Sequence, residues 1–421
     1  MTPATLAALA GSMLCAQAGV SPAPSIPEQE IKPSQHGALL RDAETQRVRK
    51  PGFWVADERS GALRVLGQIE FRYLASLRDD LPAAAEDFAH GFEHTRVRAG
   101  LQGHIADPSL TYFIWTAFGA SGDAFLLDAW VKKTFDNGVF VQAGQFKLPI
   151  TREWLVSETR QQFVERSLVD ARFAAIYGQG VQAGWLGEDA RVYASFTDGL
   201  RSFNRSLKGT QYAVSGRVEA KAFGNWADYT EFESQREDGP LLVFGLGGHV
   251  QDGGVIGDGA TVGFGSPDIY SNDTRITQWT ADVNWGVGGA NLFAALISNR
   301  EQRGAQGPAP LQTFHQLGVV VQGGVFVTDN TEVIARYEWG DLDGEASALA
   351  GAGGDAGETL SVLTVGVNQF LAGHAVKLTV DGGYGFEGVD AAWRGGGRGY
   401  LPDASGGGGQ FVLRAQVNVL F

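Results

Sequence analysis

Residues 410–421 read QFVLRAQVNVLF. Phe411, Leu413, Ala415, Val417, Val419 and Phe421 fall on one parity, and Val412, Arg414, Gln416, Asn418 and Leu420 on the other. A period of two is the signature of a β-strand, in which successive side chains point to opposite faces. The same pattern recurs upstream. Val333, Ala335, Tyr337 and Trp339 oppose Glu332, Arg336 and Glu338; Trp279, Ala281, Val283 and Trp285 oppose Gln278, Asp282 and Asn284; Val376, Leu378 and Val380 oppose Lys377, Thr379 and Asp381. Nearer the N-terminus, His94, Arg96, Arg98, Gln102 and His104 oppose Thr95, Val97, Ala99, Leu101 and Ile105. Two arginines and two histidines on one strand face would be costly against a packed core. A water-filled lumen removes that cost, and a surrounding bilayer takes up the apolar face.

Counting outward, the alternation places strands near 65–73, 92–105, 110–118, 123–133, 138–147, 178–186, 190–198, 210–221, 240–251, 275–286, 290–300, 313–327, 331–340, 359–371, 375–386 and 410–421. They form an even-numbered set, several about ten residues long, the length a tilted strand needs to cross a bilayer. The expected fold is all-β, a 16-stranded antiparallel transmembrane barrel. Short turns at 136–138, 187–189, 286–289, 328–330 and 372–374 alternate with long connections, as an up-and-down barrel requires. Two places break the rule. Residues 119–122 are short where a long loop is due, and 222–239 are long where a turn is due, leaving room for an extra strand pair or a flap.

The chain has 421 residues, 44% hydrophobic, with 59 Gly, 25 Phe, 10 Trp and 10 Tyr. So many aromatics argue against disorder. The net charge of −14 and the lack of a Lys/Arg-rich cluster exclude nucleic acid as a partner. Residues 1–18 read as a signal peptide: an apolar run, Ala4 to Leu14, then Ala16-Gln17-Ala18 as a small-x-small cleavage site, without the usual basic n-region. Cleavage there removes Cys15, the single cysteine, and with it any disulfide framework. Residues 19–62, with Pro22, Pro24, Pro27, Pro33 and Pro51, read as a periplasmic linker or arm, and 63–421 as the barrel.

One stretch escapes the alternation. Residues 144–178, GQFKLPITREWLVSETRQQFVERSLVDARFAAIYG, break at Pro149 and carry Lys147, Arg152, Arg160, Arg166 and Arg172 beside Glu153, Glu158, Glu165 and Asp170. On the long-loop side after the fifth strand, this reads as a third loop folded into the lumen. No GxSxG, HExxH or cysteine-based metal pattern occurs, and Gly383 to Gly388 matches GxGxxG without the helix that a nucleotide site needs. No cofactor, metal or catalytic residue is implied. An outer-membrane barrel hydrolase and a soluble secreted β-rich binding protein remain as alternatives.

The chain resembles the phosphate-selective porins, the family of porins O and P. The resemblance rests on His94-Thr95-Arg96-Val97-Arg98, Gly144-Gln145-Phe146-Lys147-Leu148-Pro149-Ile150, Phe163-Val164-Glu165-Arg166-Ser167-Leu168, Ser215-Gly216-Arg217-Val218, Gly373-His374-Ala375-Val376-Lys377-Leu378 and the C-terminal Phe421. It implies a trimeric Gram-negative outer-membrane porin, an inward constriction loop, and passive diffusion of small hydrophilic solutes, anions such as phosphate or polyphosphate among them. Its partners would be those solutes, outer-membrane lipid and two further copies of the chain. Candidate pore-lining or constriction residues are Arg96, Arg98, Lys147, Arg152, Arg160, Arg166, Arg172 and Arg217. Each arginine has a competing reading, pairing with a carboxylate of the lumen or loop. Asp128, Glu219, Asp282, Glu332, Glu338 and Asp381 also fall on the inward parity.

Overall fold

A computed structural model describes residues 53–57, 61–78, 88–119, 122–200, 210–253, 275–303, 312–344, 359–387, 389, 391–393, 395–401 and 409–421. The signal-peptide reading of 1–18 and nearly all of the 19–62 arm lie outside these residues.

Sixteen antiparallel strands close into a barrel: β2 (Gly61–Leu77), β3 (Phe88–Ile105), β4 (Asp107–Phe118), β5 (Ala124–Thr134), β6 (Val139–Lys147), β7 (Tyr177–Leu186), β8 (Ala190–Thr197), β9 (Thr210–Phe223), β10 (Leu241–Gly253), β11 (Arg275–Val287), β12 (Ala290–Arg303), β13 (Gln312–Phe326), β14 (Thr331–Asp341), β15 (Thr359–Phe370), β16 (Val376–Gly385) and β17 (Gln410–Leu420). Each pairs with its sequence neighbours, and β17 closes on β2 with Val417 opposite Phe71. Closure matters because a bilayer offers no partner to an unpaired strand edge. Phe421 extends the seam by exchanging backbone hydrogen bonds with Gly67 at 2.7 and 2.9 Å. Its ring lies over Gly67, where a Cβ would come within 2.5 Å of it. A short β1 (Phe53–Asp57) pairs with the start of β2; the alternation did not reveal it.

All sixteen strands foreseen from the alternation are present, with shifted ends. One local parity is not as expected. A bulge at Thr95 of β3 pairs Arg96 with Glu70 but His94 with Phe71. The extra residue flips the face of the strand beyond it. Arg96 and Arg98 stay inside, while His94 turns outward and packs on Phe71, ring centroids 5.0 Å apart.

The outer face is apolar, with Val141, Phe244, Leu246, Trp279, Val333, Val365 and Leu413 all exposed. This is the bilayer-facing band expected of such a barrel. The main apolar cluster lies inside. Phe293, Ile297, Val320, Leu360, Val362 and Val412 are buried, and they meet Val156, Leu168, Val169 and Phe173 of the segment between β6 and β7. That segment, 148–176, folds into the lumen as expected, with two short helices, α1 (Arg152–Leu155) and α2 (Leu168–Phe173).

The connection 224–240 also folds inward, from the opposite end. It contains no extra strand pair, only a 3-10 turn at Asp228–Thr230. Phe232 packs on Phe293 with centroids 4.7 Å apart. The connection after β16 brings Trp393 edge-on to Phe173 at 6.1 Å.

Candidate functional site

Half of the wall is covered. The inward loop packs over β10–β17, whose inward carboxylates hold it there. The Val164 backbone N–H donates to Asp381 at 2.9 Å, and the Leu168 N–H donates to Glu338. Glu332 accepts from Gln162 at 2.8 Å and also from Asn291 and Asn368. Arg336 donates to the Glu165 carbonyl at 2.9 Å. Folding brings these polar groups out of water, which is tolerable only because each finds a partner. The wall also makes room. Added Cβ atoms at Gly247, Gly318 and Gly340 would lie 2.5, 2.6 and 2.3 Å from Ile150 O, Val169 Cγ1 and Trp393.

The other half is open. A cavity of about 480 Å³ runs along the inner faces of β2–β9 and is bounded on the far side by residues 149–160 of the loop. Four of the eight candidates from the sequence line it: Arg98, Lys147, Arg152 and Arg160. Lys147 ends β6, where the chain leaves the wall. Its ammonium donates to the carbonyls of Trp154 at 2.9 Å and Val156 at 3.4 Å and has no carboxylate within ion-pair distance among the described residues. Arg98 is paired with Glu158. Arg160 reaches Thr230 at 2.5 Å and Glu231 at 3.9 Å. Arg152 lies 3.7 Å over the Tyr229 ring and donates to the Tyr229 carbonyl and to Asn284 at 3.3 Å, so it joins the two inward segments.

Arg96, Arg166, Arg172 and Arg217 are not among the residues lining the cavity. Arg96 bridges Glu70 and Glu165 at 2.7 and 2.8 Å. Arg166 braces the loop internally, 2.9 Å from Glu158 and 4.4 Å over Trp154. Arg172 is buried on α2. Arg217 is fully buried in a fork with both Asp282 oxygens at 2.8 Å, with Glu219 and the Ile150 carbonyl as further partners. Bidentate pairing of this kind fixes a guanidinium in place. Within the loop, burial opposes the Glu165 carboxylate, but Arg96 and Arg72 outweigh it and hold its pKa well below the usual range. Asp170 goes the other way: burial, with Glu153 adding to it, pushes its carboxyl up to about 7.

Three lining cations were not singled out from the sequence: Arg64 on β2, Lys132 on β5 and Arg191 on β8. Lys132 and Arg191 do fall on the inward parity of their strands, which was the available signal. In all, Arg64, Arg98, Lys132, Lys147, Arg152, Arg160 and Arg191 line the cavity against Asp128, Glu158 and Glu219.

Solved structures with the same fold are outer-membrane proteins. Vibrio cholerae OmpT is 16% identical, covers 87% of this chain and 99% of its own, and superposes with a TM-score of 0.54. The trimer form of in-vitro folded OmpT is 14% identical, over 86% and 100%, with a TM-score of 0.51. An anion-selective porin from Comamonas acidovorans is 13% identical, over 86% and 100%, with a TM-score of 0.55. No curated protein sequence matches the chain. The sequence model of phosphate-selective porin O and P matches residues 80–381. The closed sixteen-strand barrel, its apolar belt and its inward loop point to a channel rather than an enzyme, and with the family match they make this chain a Gram-negative outer-membrane porin that belongs to the phosphate-selective porin O and P family.

Proposed function

We propose that the channel passes small hydrophilic anions and that the open half of the lumen sets this preference. The observation that carries the proposal is the lining itself: seven cationic side chains against three carboxylates in a protein whose net charge is −14. A low-dielectric wall focuses the field of such a lining and raises the local anion concentration. Most of the inward carboxylates do not compete. Asp282, Glu332, Glu338 and Asp381 are buried under the loop and turn toward Arg217, loop amides and neighbouring side chains.

Lys147 is the residue best placed to meet solute. Its two loop carbonyls hold the amine at the cavity edge. Arg98 and Arg160 share their charge with acidic partners and add a weaker field. Phosphate and carboxylate both suit such donors. Binding that still permits release keeps the flow passive. The trimer form known for the similar OmpT supports a homotrimer for this chain too.

Reversal potentials of the purified protein in planar bilayers under a potassium chloride gradient test the proposal. The expected sign is that of chloride preference, with inorganic phosphate reducing the chloride current. A potassium preference would overturn it.

A further inference from the structure

Strand β4 departs from the barrel rule. Its outward side chains Ile114 and Phe118 are apolar and exposed, as expected, but its inward positions Phe113, Trp115 and Ala117 are apolar as well. Inward faces of aqueous pores are normally polar. Trp115 is accounted for by packing: it is buried in a cluster with Leu66, Leu127 and Trp154, and Gly100 opposite it leaves room for the ring. Phe113 packs on the edge of that cluster, stacked 5.9 Å from Trp115, and Trp130 on the edge of the Phe146, Leu148 and Ile150 cluster, but packing leaves part of each ring uncovered. They are direct cross-strand partners on β4 and β5, their centroids are 5.8 Å apart, and both are only half-buried and line the cavity. Lys132 lies 5.3 Å over Trp130, and Lys147 lines the same cavity.

From this pairing we infer that the preferred permeant is a small organic anion carrying a flat apolar ring, an aromatic carboxylate rather than bare inorganic phosphate. The inference rests on the anion reading above and narrows it. The carboxylate meets the lysines and arginines of the lining, while the ring lies against Phe113 and Trp130. Water leaves both faces on contact, and the aromatic pair adds to that gain. The rings give a sliding surface and not a closed pocket, so the permeant remains able to leave.

The test uses the full chain in planar bilayers, with chloride as the carrier of current and acetate or benzoate as blocker. Each blocker has one carboxylate, and only benzoate has a ring. Benzoate is expected to halve the current at a concentration roughly two- to tenfold below that of acetate, the span of one aromatic contact. In Phe113→Leu/Trp130→Leu the two blockers should become equivalent while chloride preference persists. If the double variant does not assemble, Trp130→Leu alone should narrow the gap. Equal block in the wild type, or a gap that survives in an assembled double variant, overturns the inference and leaves the anion reading standing. Potassium preference in the wild type overturns both.

Discussion

The two halves of the barrel wall have the same strand geometry but use their charges differently. Along β10–β17 the inward charges are dry. Glu338 and Asp381 hold loop amides, Arg414 donates to Asp381 at 2.6 Å, and Asp282 grips Arg217 from across the β9–β10 boundary. Along β2–β9 some inward charges are paired too, Arg72 and Arg96 with Glu165 and Arg217 with Asp282. Others border open space, and there Lys132, Lys147 and Arg191 have no carboxylate partner within ion-pair distance among the described residues. The difference teaches that an inward parity is not a pore-lining position. What lies above the side chain decides whether its charge braces the fold or acts on solute.

The largest expected effect comes from breaking the dry half. Arg217→Ala leaves Asp282 and Glu219 buried without their cation, and removal of one partner from a buried ion pair costs about 3–5 kcal/mol. The heat-modifiable form should be lost at lower temperature or urea concentration than in the wild type. Unchanged stability would show that water reaches the pair.

Next comes the anchor of the loop. Glu338→Ala/Asp381→Ala removes the acceptors of the Leu168 and Val164 amides. Each unsatisfied amide costs roughly 1–3 kcal/mol. The loop should come away from the wall, and single-channel recordings should show raised, noisier conductance. Steady wild-type conductance would mean that the apolar contacts of Val169 and Phe173 suffice.

The second inward segment should give a smaller change. Shortening 225–239 to a tight turn removes Tyr229 and Thr230 from the cavity edge and frees Arg152 of its ring partner. Conductance should rise with anion preference retained, since none of the seven lining cations is lost.

The smallest effect is one of pH. With its carboxyl up at about 7, Asp170 is protonated in the docked loop between the ordinary aspartate range and neutrality, whereas the unfolded chain is ionised there. The folded state therefore binds more protons in that window, and docking weakens as pH rises through it. Hydrogen exchange at 168–173 should speed up between pH 5 and 8 by more than the intrinsic rate increase. Glu165, held low, contributes the opposite trend, which sets in as pH falls below the ordinary glutamate range.

The strands were legible because a bilayer outside and water inside enforce a period of two on each one. The bulge at Thr95 was not, because one extra residue leaves no mark in composition, and His94 was placed on the wrong face for that reason. Residues 144–178 were legible as a loop by their broken alternation. Which wall the loop covers was not read, although two signals existed. Phe293, Ile297, Val320 and Val362 put apolar groups on the inward parity, and Gly247, Gly318 and Gly340 leave it empty. Both follow from a wall that packs against protein and not water. Arg217 looked like a pore cation because parity carries no information about Asp282 one strand beyond its neighbour.

The most direct test neutralises one charge in each half and reads ion selectivity. Lys147→Gln removes a cation from the open side, and Glu332→Gln removes a carboxylate from the covered side while keeping its shape. In a potassium chloride gradient, Lys147→Gln should move the zero-current potential toward cation preference, and Glu332→Gln should leave it at the wild-type value. Equal and opposite shifts from the two variants would contradict the division of the lumen into a selecting half and a bracing half.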